Sequence, residues 1–493
     1  MTTSQPQSRS QGQSRSRPQP RPRPSPGGRF DPVRIVLLVA LVTSHGLIRV
    51  AERYFPEFLS ALGYGPIVTG LVVSIGLGVT VIITASATAG LNSGDETESG
   101  DRNAETGGFP ARVVAVVSVL FATLGLFVWT GAPTLDALLG TPLSALGWLA
   151  VGVVLLQAWH SFGPVRTLWP IDTRIVGRKT RSTRTEADEF TPSGADRERD
   201  ARAGTVIGAL GIGAGALIVT AAIAIVGGVK TGFSIVAATG AAVTLVAAIT
   251  RGVIGDTDRL PLVGRIEAPS AARGRVPDSV ASVRRAVVAL SDRRRWTITG
   301  DALVRLALVG STPYLVLLFV EEQPLSLSVG GRSLMPAAMF GAFVLAEAGG
   351  ALLGAIAAPR LVSAVDRRWL LTLGLAGVSL VPMALVATSS VAIVALLFAV
   401  LGCRTAIEPL RPTVGPRIRP SHDVSPDADA TALGLPPPEP LQTAVRIALV
   451  PAPFVGGLLY AIHPVAAFTV ATTVSLLGVR ELLRSFSFER IGD

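Results

Sequence analysis

The sequence predicts an all-α membrane protein of twelve transmembrane helices, arranged as two pseudo-symmetric six-helix bundles. Composition, the length of the apolar runs and the placement of the arginines predict it. Hydrophobic residues make up 49% of the 493 and charged residues 16%, with a mean hydropathy of +0.52. That is too little polar surface for one soluble domain of this size. The apolar residues gather into runs of about 20, the length that crosses a bilayer as a helix.

The elements follow in order. Met1 to Gly28 consists of Gln, Ser, Arg and Pro with almost nothing apolar. Such a segment cannot offset the entropy of ordering, so residues 1–30 read as a disordered cytoplasmic tail. Apolar runs place spans near 35–62, 66–91, 112–131, 144–165, 204–227 and 231–250. Six more fall near 297–320, 334–358, 368–388, 390–410, 441–462 and 464–483. The two bundles therefore occupy 31–250 and 297–485, joined by a polar linker over 251–296 and followed by a short cytoplasmic tail over 486–493.

The arginines test this division, because cytoplasmic loops collect Lys and Arg and translocated loops avoid them. With the amino terminus inside, the outward loops carry Lys230 and Arg332, while Arg49, Arg53, Arg305, Arg404 and Arg446 lie within spans. The rest of the 44 Lys and Arg fall on inward segments or at the inward ends of spans. The net charge of +10 is thus largely topological, and the expectation is a multi-pass protein of the cytoplasmic membrane with both termini cytoplasmic and no nucleic-acid partner. Inward loops at Asn92 to Ala111, Pro164 to Ala203 and Pro409 to Pro440 read as solvated connections. In the linker, Val280, Val283, Val287 and Leu290 recur at helical spacing beside Arg284 and Arg285, the pattern of a basic amphipathic helix on the membrane face.

The halves repeat one another weakly. Leu47-Ile-Arg49 in the first span answers Leu303-Val-Arg305 in the seventh, and Pro164-Val-Arg166 after the fourth answers Pro409-Leu-Arg411 after the tenth. Gly204-Thr-Val-Ile-Gly208 parallels Ala430-Thr-Ala-Leu-Gly434, and Gly227-Gly228 with Phe233 parallels Gly456-Gly457 with Phe468. At these residues, and at Phe58-Leu-Ser-Ala-Leu-Gly-Tyr-Gly-Pro66 leading into the second span, the sequence resembles the major facilitator superfamily of secondary transporters over roughly 35–485. The family's loop motif is matched after the eighth span only by Leu361, Arg367 and Arg368, and an acidic insert replaces it after the second. The resemblance implies a solute carrier that works by alternating access about a midplane cavity. A non-transporting sensor or scaffold that keeps the same fold is the alternative.

Ionisable groups inside a span are costly when they face lipid, so they should face a cavity or one another. His45, Arg49, Glu52 and Pro56 form one stripe along the first helix, with Arg49 near mid-depth. Together with Arg305 across the pseudo-twofold axis and Gln157 in the fourth span, Arg49 and His45 are the candidate substrate contacts, and two arginines favour an anionic solute. Glu347 has no opposite charge within a turn of its own helix. It is the first candidate for the residue that takes up a coupling proton or cation, with a salt bridge to Arg404 or Arg446 as the structural reading. Asp301 is the second candidate. Glu52 and Arg53, Asp301 with Arg305, Arg404 with Glu408, and Arg446 supply candidate structural or gating charge pairs. His160 and His463 read as packing residues. One cysteine, Cys403, and four histidines give no disulfide or metal pattern. No phosphate-binding Gly-rich loop or hydrolase motif is present. The expectation is a monomeric carrier that is not an enzyme and uses no cofactor.

Overall fold

The structure, a computed structural model, describes residues 32–92, 111–139, 144–162, 194–253, 288, 290, 292–329, 332–411 and 439–487. The amino-terminal tail, most of the three long inward loops and most of the linker helix lie outside the described residues.

The first six spans are α1 (Pro32–Ala61), α2 (Pro66–Asn92), α3 (Ala111–Leu139), α4 (Ala145–Phe162), α5 (Gly194–Val226) and α6 (Val229–Val253). The second six are α7 (Asp292–Ser311), α8 (Pro336–Ala364), α9 (Arg367–Val386), α10 (Val391–Cys403), α11 (Glu439–Leu449) with α12 (Ala452–Ile462) as one broken span, and α13 (Pro464–Ser487). Ten of these spans are long and apolar enough to cross a membrane, and Ala145–Ser161 and Val391–Ala406 are shorter apolar helices that complete the twelve. Proline opens α2, α8 and α13, where its missing N–H has no intrahelical partner to lose. Asp366 caps α9, its carboxylate accepting from Arg368 N at 2.8 Å.

Two spans depart from plain helices. The seventh continues beyond α7 through a 3-10 turn, Thr312–Tyr314, and a π turn, Leu318–Glu322, before a hairpin of β1 (Leu327–Val329) and β2 (Arg332–Leu334). Leu327 faces Leu334 in its antiparallel register. This hairpin falls where the sequence suggested only an outward loop. The eleventh span breaks at Val450 and Pro451, because Pro451 has no N–H to continue the ladder. The chain restarts with Val455 N donating to Pro451 O at 3.0 Å.

The packing repeats between the halves. In the first bundle α1 packs on α5 and α6, α3 on α4 and α6, and α2 on α4. In the second bundle α7 packs on α12 and α13, α9 on α10 and α13, and α8 on α10. Spans 1–6 thus take the same neighbours as spans 7–12. Between the bundles α5 meets α8 and α2 meets α12, and the pseudo-twofold that exchanges the halves exchanges these two seams. One proposed sequence match fails here. Gly227 lies in the α5–α6 turn at φ +74, whereas Gly456 lies inside α12 against Gly310. The following pair holds, with Phe233 and Phe468 each buried early in their helices.

Small residues set how closely these helices approach. A Cβ at Gly215 would stand 2.6 Å from the backbone of Gly46, and Gly300 and Gly478 meet in the same way between α7 and α13. The face at which α1 ends and α2 begins, here the distal face, is drawn tightly together. Tyr54 Oη donates to Ala337 O at 2.6 Å, Phe454 N donates to Ser74 Oγ at 3.2 Å, and Ser60 Oγ donates to Glu321. Tyr314 Oη donates to Pro453 O at 2.5 Å and reaches Pro66 O at 3.4 Å. Around them sit stacked rings, Phe55 on Trp129 at 4.6 Å and Phe58 on Phe233 at 4.3 Å. Leu290, the last apolar position of the linker stripe, packs against Ile298, Leu441, Val445 and Leu449 in the second bundle.

Candidate functional site

The charges inside the spans gather into two clusters. The first is built on α1. Its stripe turns Glu52 toward α4 and, one position on, Arg53 toward α8. Arg49 pairs with Glu52 at 3.3 Å, and Glu52 also meets His160 Nε2 on α4. His45 lies one turn away, with Arg49, His160 and Glu52 as its electrostatic neighbours. Arg49 is the accessible cation of this group, its side chain 47% exposed between the buried residues Ile48 and Val50. Gln157, one turn from His160, is held in the α2–α4 seam, where it accepts from Thr80 Oγ1 and donates to Val153 O at 3.2 Å.

Arg53 crosses the seam between the bundles. Its Nη2 lies 2.8 Å from Glu347 Oε1 and 3.1 Å from Oε2. Arg404 approaches the same carboxylate from α10's end at 3.4 Å. Glu347 is therefore a carboxylate shared by two guanidiniums from opposite bundles, and the lack of a partner on its own helix misled the sequence argument. Of the two salt-bridge partners considered, Arg404 is the one present; Arg53 was placed only among the general charge pairs. Counted from Ala61 and Pro336 at ~1.5 Å per residue, Arg53 and Glu347 lie about 12 and 16 Å from the distal face, near the middle of a ~30 Å apolar core. The backbone fixes this meeting. A Cβ at Gly402 would overlap the backbone of Glu347, and one at Gly350 would overlap that of Ala399, so α8 and α10 touch directly beneath the carboxylate.

The expected pairing of Arg404 with Glu408 needs a continuous helix. α10 ends at Cys403 and passes through two 3-10 turns, Arg404–Ala406 and Glu408–Leu410. Arg404 consequently turns toward Glu347, and Glu408 joins the second cluster. There Asp301, fully buried on α7, accepts a hydrogen bond from Arg411 Nε at 2.7 Å, and Arg411 Nη2 stands 2.6 Å from the same oxygen as an ion pair. Arg305 has Arg411, Asp301, Arg446 and Glu408 as its electrostatic neighbours. Arg49 and Arg305, matched in the repeat, thus sit among different charges: one pairs with Glu52 on its own helix, the other lies among the charges of the second bundle.

Sequence reasoning missed three groups. Arg411 was noticed only as part of a repeated Pro-x-Arg phrase, although a buried arginine after an apolar span needs a carboxylate partner. His160 was read as packing, yet it completes the Glu52 pair. Glu57, one residue beyond Pro56 of the stripe, is buried near the distal face; its place inside an apolar span was the available signal. Among the described residues no group of His, Cys, Asp and Glu has the arrangement to hold a metal ion.

No protein-family model matches the chain, and no curated protein sequence matches it. Comparison with solved structures does find similarity. The nucleoside transporter NupG superposes with a TM-score of 0.57 at 12% identity, covering 92% of this chain and 99% of that one. A peptide transporter POT solved in complex with sulfate gives 0.57 at 12% identity over 93% of this chain and 95% of that one. A bacterial homologue of the iron transporter ferroportin, solved in an inward-facing state, gives 0.53 at 14% identity over 92% and 98%. Nearly the whole chain is covered in each comparison: the chain shares the fold of these transporters, the one that the resemblance to the major facilitator superfamily implied.

Proposed function

We propose that the chain is a secondary active transporter that carries a small solute across the cytoplasmic membrane by alternating access, coupled to protons through Glu347. The observation that carries this reading is the Arg53–Glu347–Arg404 bridge, which joins the two bundles at mid-depth. Rocking one bundle on the other parts Arg53 from Glu347, and an ion pair parted in a low-dielectric site costs several kcal/mol unless the charge is first neutralised. A proton on Glu347 supplies that neutralisation, so loading and movement are linked. The solute meets Arg49 with His45 and Gln157 alongside, and Arg49 together with the released Arg53 and Arg404 favours an anionic group. Arg305 and Asp301 take the structural role in this reading: Arg411 holds Asp301 between the seventh and tenth spans. The arginine asymmetry of the loops supports the distal face as the outer one. The resemblance in fold to nucleoside and peptide transporters supports carriage of a small polar solute.

Proton uptake or release by the purified protein, recorded while organic anions, cations and neutral solutes are added in turn, tests the reading. The expected result is a ligand-dependent proton signal that disappears in Glu347→Gln and keeps its stoichiometry in a variant far from the bridge. Silence across the panel from a protein shown to be folded would overturn it in favour of a non-transporting sensor.

A further inference from the structure

Three carboxylates stand where the bundles close at the distal face. Glu321 and Glu322 end the π turn of the seventh span and are exposed, while Glu57 on α1 is buried to 7% exposure behind them. Glu321 accepts a hydrogen bond from Ser60 of the first bundle. Glu57 Oε2 has no hydrogen-bond partner, and its charged neighbour is Glu321, another acid. The fourth member is Tyr460 on α12, 5% exposed, with its hydroxyl also without a partner. Its ring is fixed by stacking on Tyr314 at 5.3 Å and by the edge of Phe468. The electrostatic neighbours of that hydroxyl are Glu322, Glu321 and Glu57.

Two exposed acids thus neighbour a buried carboxylate and a buried phenol. These groups come from α1 in one bundle and from the seventh and eleventh spans in the other. A buried carboxylate and hydroxyl without partners are costly, and among the described residues their electrostatic neighbours are all acids. We propose that this cluster is a binding site for a single positive charge, a monovalent inorganic cation or the protonated amine of an organic ligand. The occupant is coordinated by Glu57 Oε2 and Tyr460 Oη and draws Glu321 inward. Because its ligands belong to both bundles, a bound cation holds the distal end shut.

Cation-specific thermal stabilisation of the full-length purified protein tests the site, because a ligand of the folded state raises the unfolding temperature with a saturable dependence. Sodium, potassium and ethylammonium chlorides are each titrated against N-methylglucamine chloride at constant ionic strength. Saturable stabilisation by sodium or potassium supports an inorganic cation, and stabilisation by ethylammonium alone supports an amine. In either case Glu57→Gln should weaken the effect by about tenfold or more, as expected for loss of a charged ligand. Tyr460→Phe, which keeps the stacked ring, should weaken it less. A protein that no cation stabilises beyond the control, or whose response is unchanged in both variants, overturns the proposal.

Discussion

Arg411 shows how much one side chain can decide. Its guanidinium supplies two contacts to a carboxylate with no exposure to solvent, so Arg411→Ala leaves that charge without its guanidinium. We expect a loss of roughly 3–5 kcal/mol in unfolding free energy, read as a lowered unfolding temperature in detergent. The double variant Asp301→Asn with Arg411→Met should recover much of the loss, since removing both charges removes the burial penalty. At Glu347 the expectation differs in kind. Arg53→Lys keeps the charge but loses the planar fork, and should slow proton-coupled transport while changing the unfolding temperature little. The sequence announced Glu347, Glu52 and Asp301 because an ionisable residue inside an apolar run stands out by contrast. Of their partners on other helices it named only Arg404 for Glu347. Arg53, His160 and Arg411 come from other helices, and which helices touch is decided by packing that no local spacing records.

Helices of this protein approach one another through glycine, and their contacts determine where the charges land. Gly350 and Gly402 let α8 and α10 meet backbone to backbone beneath Glu347. Gly350→Ala should push α10 outward, cost about 1–3 kcal/mol by overpacking, and lengthen the Arg404–Glu347 pair. Lower thermal stability together with an altered proton signal would show both effects in one variant, whereas Gly349→Ala, with open space at its Cβ, should show neither. All twelve spans were readable as apolar runs of the right length, because bilayer thickness sets that length. The breaks were harder to read. Pro451 marked one, but the π turn at Leu318–Glu322 has no residue signature, and it is this turn that brings Glu321 to Ser60.

The whole molecule is two similar bundles joined by two equivalent seams, with its hydrogen-bonded closure at the distal face. A short thiol-specific cross-linker between cysteines placed at Ser60 and Glu321, in a Cys403→Ser background, should trap this closed end and stop solute flux. Cleaving the linker should restore flux. Flux that continues through the linked protein would mean that the distal end does not open during transport. The repeat that organises this architecture was legible in ordered short matches, although the Gly456-Gly457 pair misled, because glycine serves both a turn after α5 and a helix contact inside α12. The central bridge has a consequence for energetics. Two guanidiniums share one carboxylate, so a proton added to Glu347 adds one positive charge to a bridge that already carries one in surplus, and one anionic group of the solute cancels the addition. Under the proposed coupling, proton and anion cross together with no net charge. Transport would then draw on the pH gradient alone, and a voltage clamp across the membrane would record no steady current while solute moves.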